Sequence, residues 1–172
     1  MKRWLIRGLG GIVGIVVLLL GIGFVLPVAH VASVTRTIDA SQEQVWAIIA
    51  DPDGMAAWRP DVDRVDRLPD RGGLAVWREV GPGGTLTFET DAFSPPSRMV
   101  TRIADEGIPF GGSWTYDLVV SGTATELTIT ENGEVYNVVF PLVSKFIIGH
   151  DATLIAYLDA LESHVASAGG GA

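Results

Sequence analysis

The chain has 172 residues, which is enough for one domain of ordinary size and an additional segment, and its 48% hydrophobic content is high for a soluble protein. The formal net charge is −8; without Lys2, Arg3 and Arg7, residues 30–172 keep 9 Lys+Arg against 20 Asp+Glu, or −11. Such an acidic body repels nucleic acid phosphates, and the absence of cysteine excludes disulfides, thiolate metal sites and cysteine nucleophiles.

A long uncharged run lies near the N-terminus, from Gly8 to Ala29. About twenty helical residues suffice to cross the hydrocarbon core of a bilayer, so the run predicts a transmembrane helix within a segment of residues 1–30. A cleavable signal peptide is the alternative, although its apolar core usually has only about 7–15 residues. The nearest cleavage-like triplet, Val31-Ala32-Ser33, lies close against the first predicted strand.

The positive charges predict the orientation of this span. Lys2, Arg3 and Arg7 precede it, and no Lys or Arg follows until Arg36, so the positive-inside rule keeps the N-terminus in the cytoplasm. We therefore expect a bacterial-type, single-pass protein of the cell membrane. Its folded domain, residues 31–167, would be extracytoplasmic and would end in a flexible tail, residues 168–172.

The domain is predicted to begin with one strand and two short helices. Val31–Asp39 is rich in β-branched residues and predicts a strand that starts near Ser33. A capping box, Ser41-x-x-Gln44, opens the first helix, and Asp51-Pro52 ends it. Gly54–Pro60 predicts a second short helix or turn, which includes Trp58.

Six further strands follow from a hydrophobic period of two residues. They are predicted at Arg64–Leu68, Leu74–Val80, Thr85–Asp91, Arg98–Ile103, Ser113–Ser121 and Glu126–Glu131. Sequences rich in glycine and proline separate most of them, Phe110 to Gly112 are expected in a loop, and Asn132-Gly133 predicts a last turn. Connections this short indicate an antiparallel meander.

The last long segment, Phe140–Val165, predicts the major helix of the fold. Leu154, Leu158, Leu161 and Val165 recur at helical spacing and predict a buried stripe. The half before Gly149 is apolar around almost its whole axis, so it needs a second apolar partner. Protein, a bilayer surface and a bound apolar molecule are the three possibilities.

This order of elements predicts an α+β fold, because the long helix is the largest cover available for one face of an antiparallel sheet. The segments TRTIDASQEQVWAIIADPDGMAAWRPDV, FGGSWTYDL, TELTITENGEV and FPLVSKFIIGHDATLIAYL resemble the START-like SRPBCC superfamily, the polyketide cyclase/dehydrase and lipid transport proteins. The resemblance covers about Ser33 to Val165. It implies a helix-grip fold, in which the sheet curves around the C-terminal helix and leaves an apolar cavity between them.

Eight bulky side chains are candidates for the lining of this cavity, and packing of an ordinary core is the alternative reading of the same residues. Trp114 and Tyr116 share one face of their strand by the period of two. The candidate set is Trp58, Trp77, Phe88, Met99, Trp114, Tyr116, Phe146 and Ile147.

No catalytic residue, metal site or cofactor follows from the sequence. His150 and Asp151 adjoin, but neighbours on a helix point about 100° apart and cannot form a tight dyad. Phosphate-binding glycine loops, metal-ligand spacings and a Gly-x-Ser-x-Gly elbow are absent. The charged strand residues are expected on a solvated face; they are Glu79, Glu89, Arg102 and Glu131.

These observations predict a membrane-anchored domain that binds an apolar small molecule or lipid close to the bilayer. One alternative is a cyclase or dehydratase, which requires an acid or base positioned inside the cavity. A charged strand residue that points inward with a partner would favour it. The other alternative is an anchored interaction module with a filled core, whose cavity would be smaller than roughly 300 Å³.

Overall fold

The computed structural model of the protein describes residues 29–135 and 151–169. Within these ranges, seven strands form one antiparallel sheet in the order β1-β7-β6-β5-β4-β3-β2. The strands are β1 Ala29–Ile38, β2 Arg64–Arg71, β3 Leu74–Gly81, β4 Gly84–Ser94, β5 Arg98–Ile103, β6 Phe110–Ser121 and β7 Ala124–Val135. The helices are α1 Gln42–Ile49, a 3-10 helix Pro52–Ala57 and α2 Ala152–Gly169. The predicted α+β architecture is confirmed.

Short turns connect the strands from β2 to β7, and each strand pairs with the next along the chain. The β6–β7 hairpin turns through a two-residue loop between Ser121 and Ala124, as tight as the β2–β3 and β3–β4 hairpins. Gly122 in that loop has φ 65°, a conformation that suits glycine. β1 closes the sheet by pairing with β7 along its whole length, from Ala29 opposite Glu134 to Ile38 opposite Thr125.

The core lies between the inner face of the sheet and helices α1 and α2. Its α2 side is the predicted stripe of Leu154, Leu158 and Leu161, all buried, while Val165 is only partly buried. Ile38, Leu118, Leu127 and Ile129 oppose them from the sheet, and Val45 and Ile49 from α1. The stripe prediction is therefore confirmed, and it explains how a helix of eighteen residues holds one side of the sheet.

The capping box at the start of α1 is confirmed, whereas α2 begins later than predicted. In the capping box, Gln44 N–H donates to Ser41 Oγ and Ser41 N–H donates to Gln44 Oε1. α2 begins at Ala152 rather than at Phe140, with Asp151 in a turn and the N–H of Ile155 donating to its carbonyl at 2.9 Å. Residues 136–150, which include the predicted first half of the long helix, lie outside the described ranges.

Two strand boundaries differ from the prediction around Gly133. The expected turn at Asn132-Gly133 is wrong, because β7 runs straight through it and pairs on both sides, Gly133 with His30 and with Gly112. A Cβ on Gly133 would overlap the imidazole of His30, so the ring can lie there only because residue 133 is glycine. β6 likewise begins at Phe110, which the sequence had placed in a loop.

The start of β1 also moves toward the N-terminus. The strand begins at Ala29, the residue predicted to end the transmembrane span, and not near Ser33. The rest of that span, residues 8–28, lies outside the described residues. Of the helices that the structure does describe, none combines the length and the apolar character required to cross a bilayer.

Candidate functional site

A cavity of about 410 Å³ lies between the inner face of the sheet, the segment Met55–Asp61 and the first turns of α2. Strands β3 to β7 form its floor, and Thr153 to Tyr157 of α2 contribute to the opposite side. Its lining is mainly apolar, with a few charged and hydroxyl groups.

Five of the eight predicted lining residues meet in this cavity; they are Trp77, Phe88, Met99, Trp114 and Tyr116. Trp58 is not part of the lining but is buried behind it, where its ring meets Tyr157 edge-on with centroids 5.1 Å apart. Phe146 and Ile147 lie outside the described residues. The structure also adds lining residues that the sequence did not single out, including Met55, Arg59, Leu86 and Tyr157.

Three aromatic side chains form a continuous surface in the cavity, which we call the aromatic wall: Trp77, Phe88 and Trp114. Trp77 pairs with Phe88 across β3 and β4, and their rings stack with centroids 5.9 Å apart. Phe88 meets Trp114 edge-on at 5.8 Å. The strand pairing thus turns separate aromatic residues into one surface that suits a flat apolar body.

Glu79 points into the cavity, so its prediction as a solvated strand charge is wrong. Trp77 faces inward, and the period of two places Glu79 on the same face. Its carboxylate lies 3.0 Å from Arg59 Nη1 and accepts the indole N–H of Trp77 at 2.9 Å. The positive charge of Arg59 and the hydrogen bond from Trp77 offset the free energy lost when the Glu79 carboxylate is removed from water.

Arg59 is shared between Glu79 and Asp61, whose Oδ2 lies 2.6 Å from Arg59 Nη2. Burial lowers the pKa of Arg59, but the hydrogen bond to Asp61 and the two carboxylate charges outweigh this effect and leave the pKa above its usual value. Burial raises the pKa of Asp61 and the bond from Arg59 more than offsets it, so that pKa is lowered. The three groups therefore form a stable ionic cluster at neutral pH.

Two tyrosines line the cavity next to this cluster. The rings of Tyr116 and Tyr157 lie 5.8 Å apart, and the guanidinium carbon of Arg59 lies 5.5 Å from the centre of the Tyr157 ring. Burial raises the pKa of Tyr116 to about 12 and raises the pKa of Tyr157 well above its usual value. The Tyr157 hydroxyl is enclosed by protein beside the side chain of Tyr116, and within the described parts of the chain it has no partner of good hydrogen-bond geometry.

Glu131 is a second inward carboxylate, and its prediction as a solvated charge is also wrong. Its Oε2 accepts the indole N–H of Trp114 at 3.1 Å and lies 3.5 Å from Thr153 Oγ1. Its Oε1 lies 3.3 Å from His30 Nε2, whose ring occupies the space above Gly133. The pairing of β7 with both β1 and β6 therefore assembles this group from three strands and α2.

The remaining predicted charges do not belong to the cavity. Glu89 is buried on the outer face of the sheet, so its prediction as a solvated charge is wrong; it pairs there with Arg71 at 2.6 Å and with Arg102. Arg102 is half-exposed, in line with the predicted solvated face. Asp151 is exposed, and His150 lies outside the described residues. In the described ranges, no three His, Asp or Glu side chains lie close enough to hold a metal ion.

The cavity continues toward solvent at the β3–β4 hairpin. A depression of about 230 Å³, lined by Gly81 to Gly84, shares Asp61, Glu79 and Phe88 with it. Gly81 packs directly on the backbone carbonyl of Asp61, where any Cβ would overlap. The hairpin and the segment after the 3-10 helix thus form one side of an opening beside the ionic cluster.

Solved structures share this architecture at low sequence identity. A START superfamily protein from Mycobacterium smegmatis is 22% identical with a TM-score of 0.65, covering 80% of this chain and 98% of its own. An aromatase/cyclase from a Streptomyces species is 17% identical with a TM-score of 0.63, and the match covers 80% of this chain and 93% of that protein. Norcoclaurine synthase from Thalictrum flavum is 15% identical with a TM-score of 0.64, and the match covers 83% of this chain and 98% of that protein. These likenesses show the fold.

The family assignment comes from the sequence itself. The comparison with curated proteins found no match. A family model described as polyketide cyclase / dehydrase and lipid transport matches residues 29–157. That range includes all seven strands and every described residue that lines the cavity. The chain therefore belongs to the polyketide cyclase/dehydrase and lipid transport family, with the START-like helix-grip fold.

Proposed function

We propose that the protein is a membrane-anchored binding or transfer protein for an apolar small molecule or lipid. The observation that carries this proposal is the cavity of about 410 Å³ with its mainly apolar lining. Ligand pockets usually have at least roughly 300 Å³, whereas a filled core has few voids larger than a water molecule. The volume argues against the alternative of an interaction module without a ligand.

The polar groups of the cavity restrict the ligand further. Glu79 and Glu131 line the cavity beside its aromatic rings, so a ligand that donates a hydrogen bond to a carboxylate would be favoured over a purely apolar one. The best ligand is therefore an apolar body that carries at least one hydrogen-bonding group.

The membrane anchor in this proposal rests on residues 8–28 and is supported by the position of β1. The cleavage-like triplet Val31-Ala32-Ser33 lies inside that strand, where buried Ala32 pairs with Glu131. Cleavage there would remove part of a paired strand. An uncleaved anchor would instead lead directly into Ala29 and hold the Glu131 side of the cavity close to the bilayer, where a sparingly soluble ligand is concentrated.

Extraction of the full-length protein tests the binding proposal. The chain would be purified in a mild detergent, examined by native mass spectrometry, and then extracted with organic solvent. In both measurements we expect a bound apolar species, at up to one copy per chain. Absence of any such species, together with failure of added lipids and apolar compounds to bind, would reject the proposal.

A second candidate function is catalysis of a cyclisation or dehydration, and the inward positions of Glu79 and Glu131 favour it. Chemistry of this class removes a proton next to a carbonyl and returns one to an oxygen. Glu131 beside His30 is the candidate base, and its protonated carboxyl group would return the proton to the oxygen. If a poly-β-ketone thioester is converted to a cyclic product by the wild type but not by Glu131→Gln, the enzyme assignment replaces the binding one.

A further inference from the structure

The two carboxylates of the cavity differ in how their charge is compensated. Glu79 has a full ion pair with Arg59, which is itself shared with Asp61. Glu131 forms no ion pair with a lysine or arginine in the part of the chain that the structure describes, and its possible cationic partner there is His30. Its side chain is only 15% exposed. Burial of a carboxylate with so little positive charge nearby is costly.

The charges that line the cavity make it attractive to cations. Among the described lining residues, Arg59 carries a positive charge and Asp61, Glu79 and Glu131 carry negative charges, a net of −2. A carboxylate or phosphate ligand would meet repulsion at Glu131, which has no lysine or arginine beside it in the described residues. Charge complementarity of this kind selects among apolar ligands, because an uncompensated charge in a poorly solvated site is penalised.

The aromatic wall adds a second attraction for the same kind of group. Trp114 donates its indole N–H to Glu131, and its ring meets Phe88. Faces of indole and phenyl rings attract cations, and the attraction grows when the cation is desolvated. An ammonium beside Glu131 would lie close to these rings. Thr153 near Glu131 and the stacked Trp77 complete a surface that suits a cation on an apolar body.

We propose that the Glu131 side of the cavity binds the protonated amino group of an apolar amine, whose hydrocarbon or aromatic body packs on the aromatic wall. This inference rests on the proposed ligand-binding function and names the ligand class for the same site. The ammonium would donate a charge-assisted hydrogen bond to the Glu131 carboxylate. The apolar body would fill the space lined by Phe88, Met99 and Leu86.

Three probes of one shape test this assignment. Naphthylmethylamine, naphthylmethanol and naphthoate carry the same ring system with a positive, a neutral and a negative group. Their binding to the full-length protein in detergent would be measured by calorimetry against protein-free micelles. We expect the amine to bind about tenfold more tightly than the alcohol and the naphthoate to bind most weakly. The preference for the amine should disappear above the pKa of the amine.

Matched variants locate the effect. Glu131→Gln keeps the size of the side chain and removes its charge, so in this variant the affinity for naphthylmethylamine should fall to about that for naphthylmethanol. Glu126→Gln is the control, because Glu126 is exposed on the opposite face of the same strand; it should change nothing. The pH dependence measured on the wild type does not require either variant to fold.

The outcomes separate this inference from the function on which it rests. Equal binding of the amine and the alcohol by the wild type would overturn the amine assignment and leave apolar binding intact. A preference that survives Glu131→Gln would also overturn it. If none of the three probes binds and no apolar species is extracted from the purified protein, the binding function itself fails.

Discussion

Tyr116 and Tyr157 show what individual residues contribute to the site. Tyr116 is buried and Tyr157 is partly buried beside Arg59, and burial keeps both hydroxyl groups protonated well into the alkaline range. Tyr157 lies on α2, three residues after Leu154, and its hydroxyl is enclosed by protein beside Tyr116, with no partner of good hydrogen-bond geometry in the described chain. A ligand would therefore meet the rings of these tyrosines rather than the Tyr157 hydroxyl.

The variant Tyr157→Phe tests the role of this hydroxyl. It removes a hydroxyl that lacks a partner of good geometry, so the ligand-free protein should keep its stability or become slightly more stable. The amount of co-purified ligand should stay at the wild-type level, because the ring remains and the hydroxyl has almost no accessible surface. Chemical unfolding and ligand extraction measure the two effects. A marked loss of stability would show that the hydroxyl has a structural partner.

The raised pKa of Tyr116 predicts a loss of stability at high pH. In the folded state its pKa is about 12, above the ordinary value of 10, so between these pH values the folded chain binds more protons than the unfolded one. Stability is therefore full below pH about 10 and falls as the pH rises toward 12, by roughly 2–3 kcal/mol. Tyr116→Phe should show a smaller decline in the unfolding free energy. An equal decline would refute the assignment.

Part of the site was predictable at the residue scale. The inward aromatic residues followed from strand periodicity, and the same period implied that Glu79 lies on the face of Trp77. Glu131 could not be placed so simply, because its contacts depend on the register of β7 against β1 and β6. Arg59 and Tyr157 lacked any motif, since their importance arises from the packing of distant segments.

Among the elements, α2 anchors the fold through its buried stripe. Leu158→Ala should lower the unfolding free energy by about 2–5 kcal/mol, because a fully buried leucine leaves a cavity when truncated. Ile155 is the matched control on the same helix, since it is 41% exposed, and Ile155→Ala should cost less than about 1 kcal/mol. Urea denaturation compares the two variants. Similar losses would contradict the assigned faces of α2.

The β3–β4 hairpin positions the segment that carries Arg59. Gly81→Ala would force a Cβ into the backbone carbonyl of Asp61, and overpacking of this kind usually costs about 1–3 kcal/mol. Gly83→Ala is the control in the same hairpin, because nothing lies near its Cβ position. We expect only the first variant to lose stability and bound ligand, as measured by thermal unfolding and extraction. Equal behaviour would mean that this contact does not support the site.

Sequence periodicity predicted all seven strands but missed several of their ends. Asn132-Gly133 has the composition of a turn, yet pairing with β1 and β6 on both sides keeps it extended within β7. Gly133 is needed there for a different reason, the space taken by His30. Local composition cannot distinguish a glycine that turns the chain from one that admits a neighbouring side chain.

At the level of the whole molecule, we propose a cavity domain with a membrane anchor at residues 8–28. The full-length chain should therefore sediment with membranes, resist extraction by alkaline carbonate, and keep an intact N-terminus. Protease added outside cells or to inverted vesicles would establish on which side the domain lies. A mature chain that is soluble and begins within or before β1 would replace the anchor with a cleaved signal peptide.

A pair of tryptophan variants tests whether the cavity holds an apolar ligand. Ala156 and Ala166 are both exposed on α2, but only Ala156 lines the cavity. The measurement is the amount of apolar ligand extracted per chain from purified full-length protein. We predict that Ala156→Trp loses most of the ligand while Ala166→Trp retains the wild-type amount. Equal retention by both variants would contradict a ligand in the cavity.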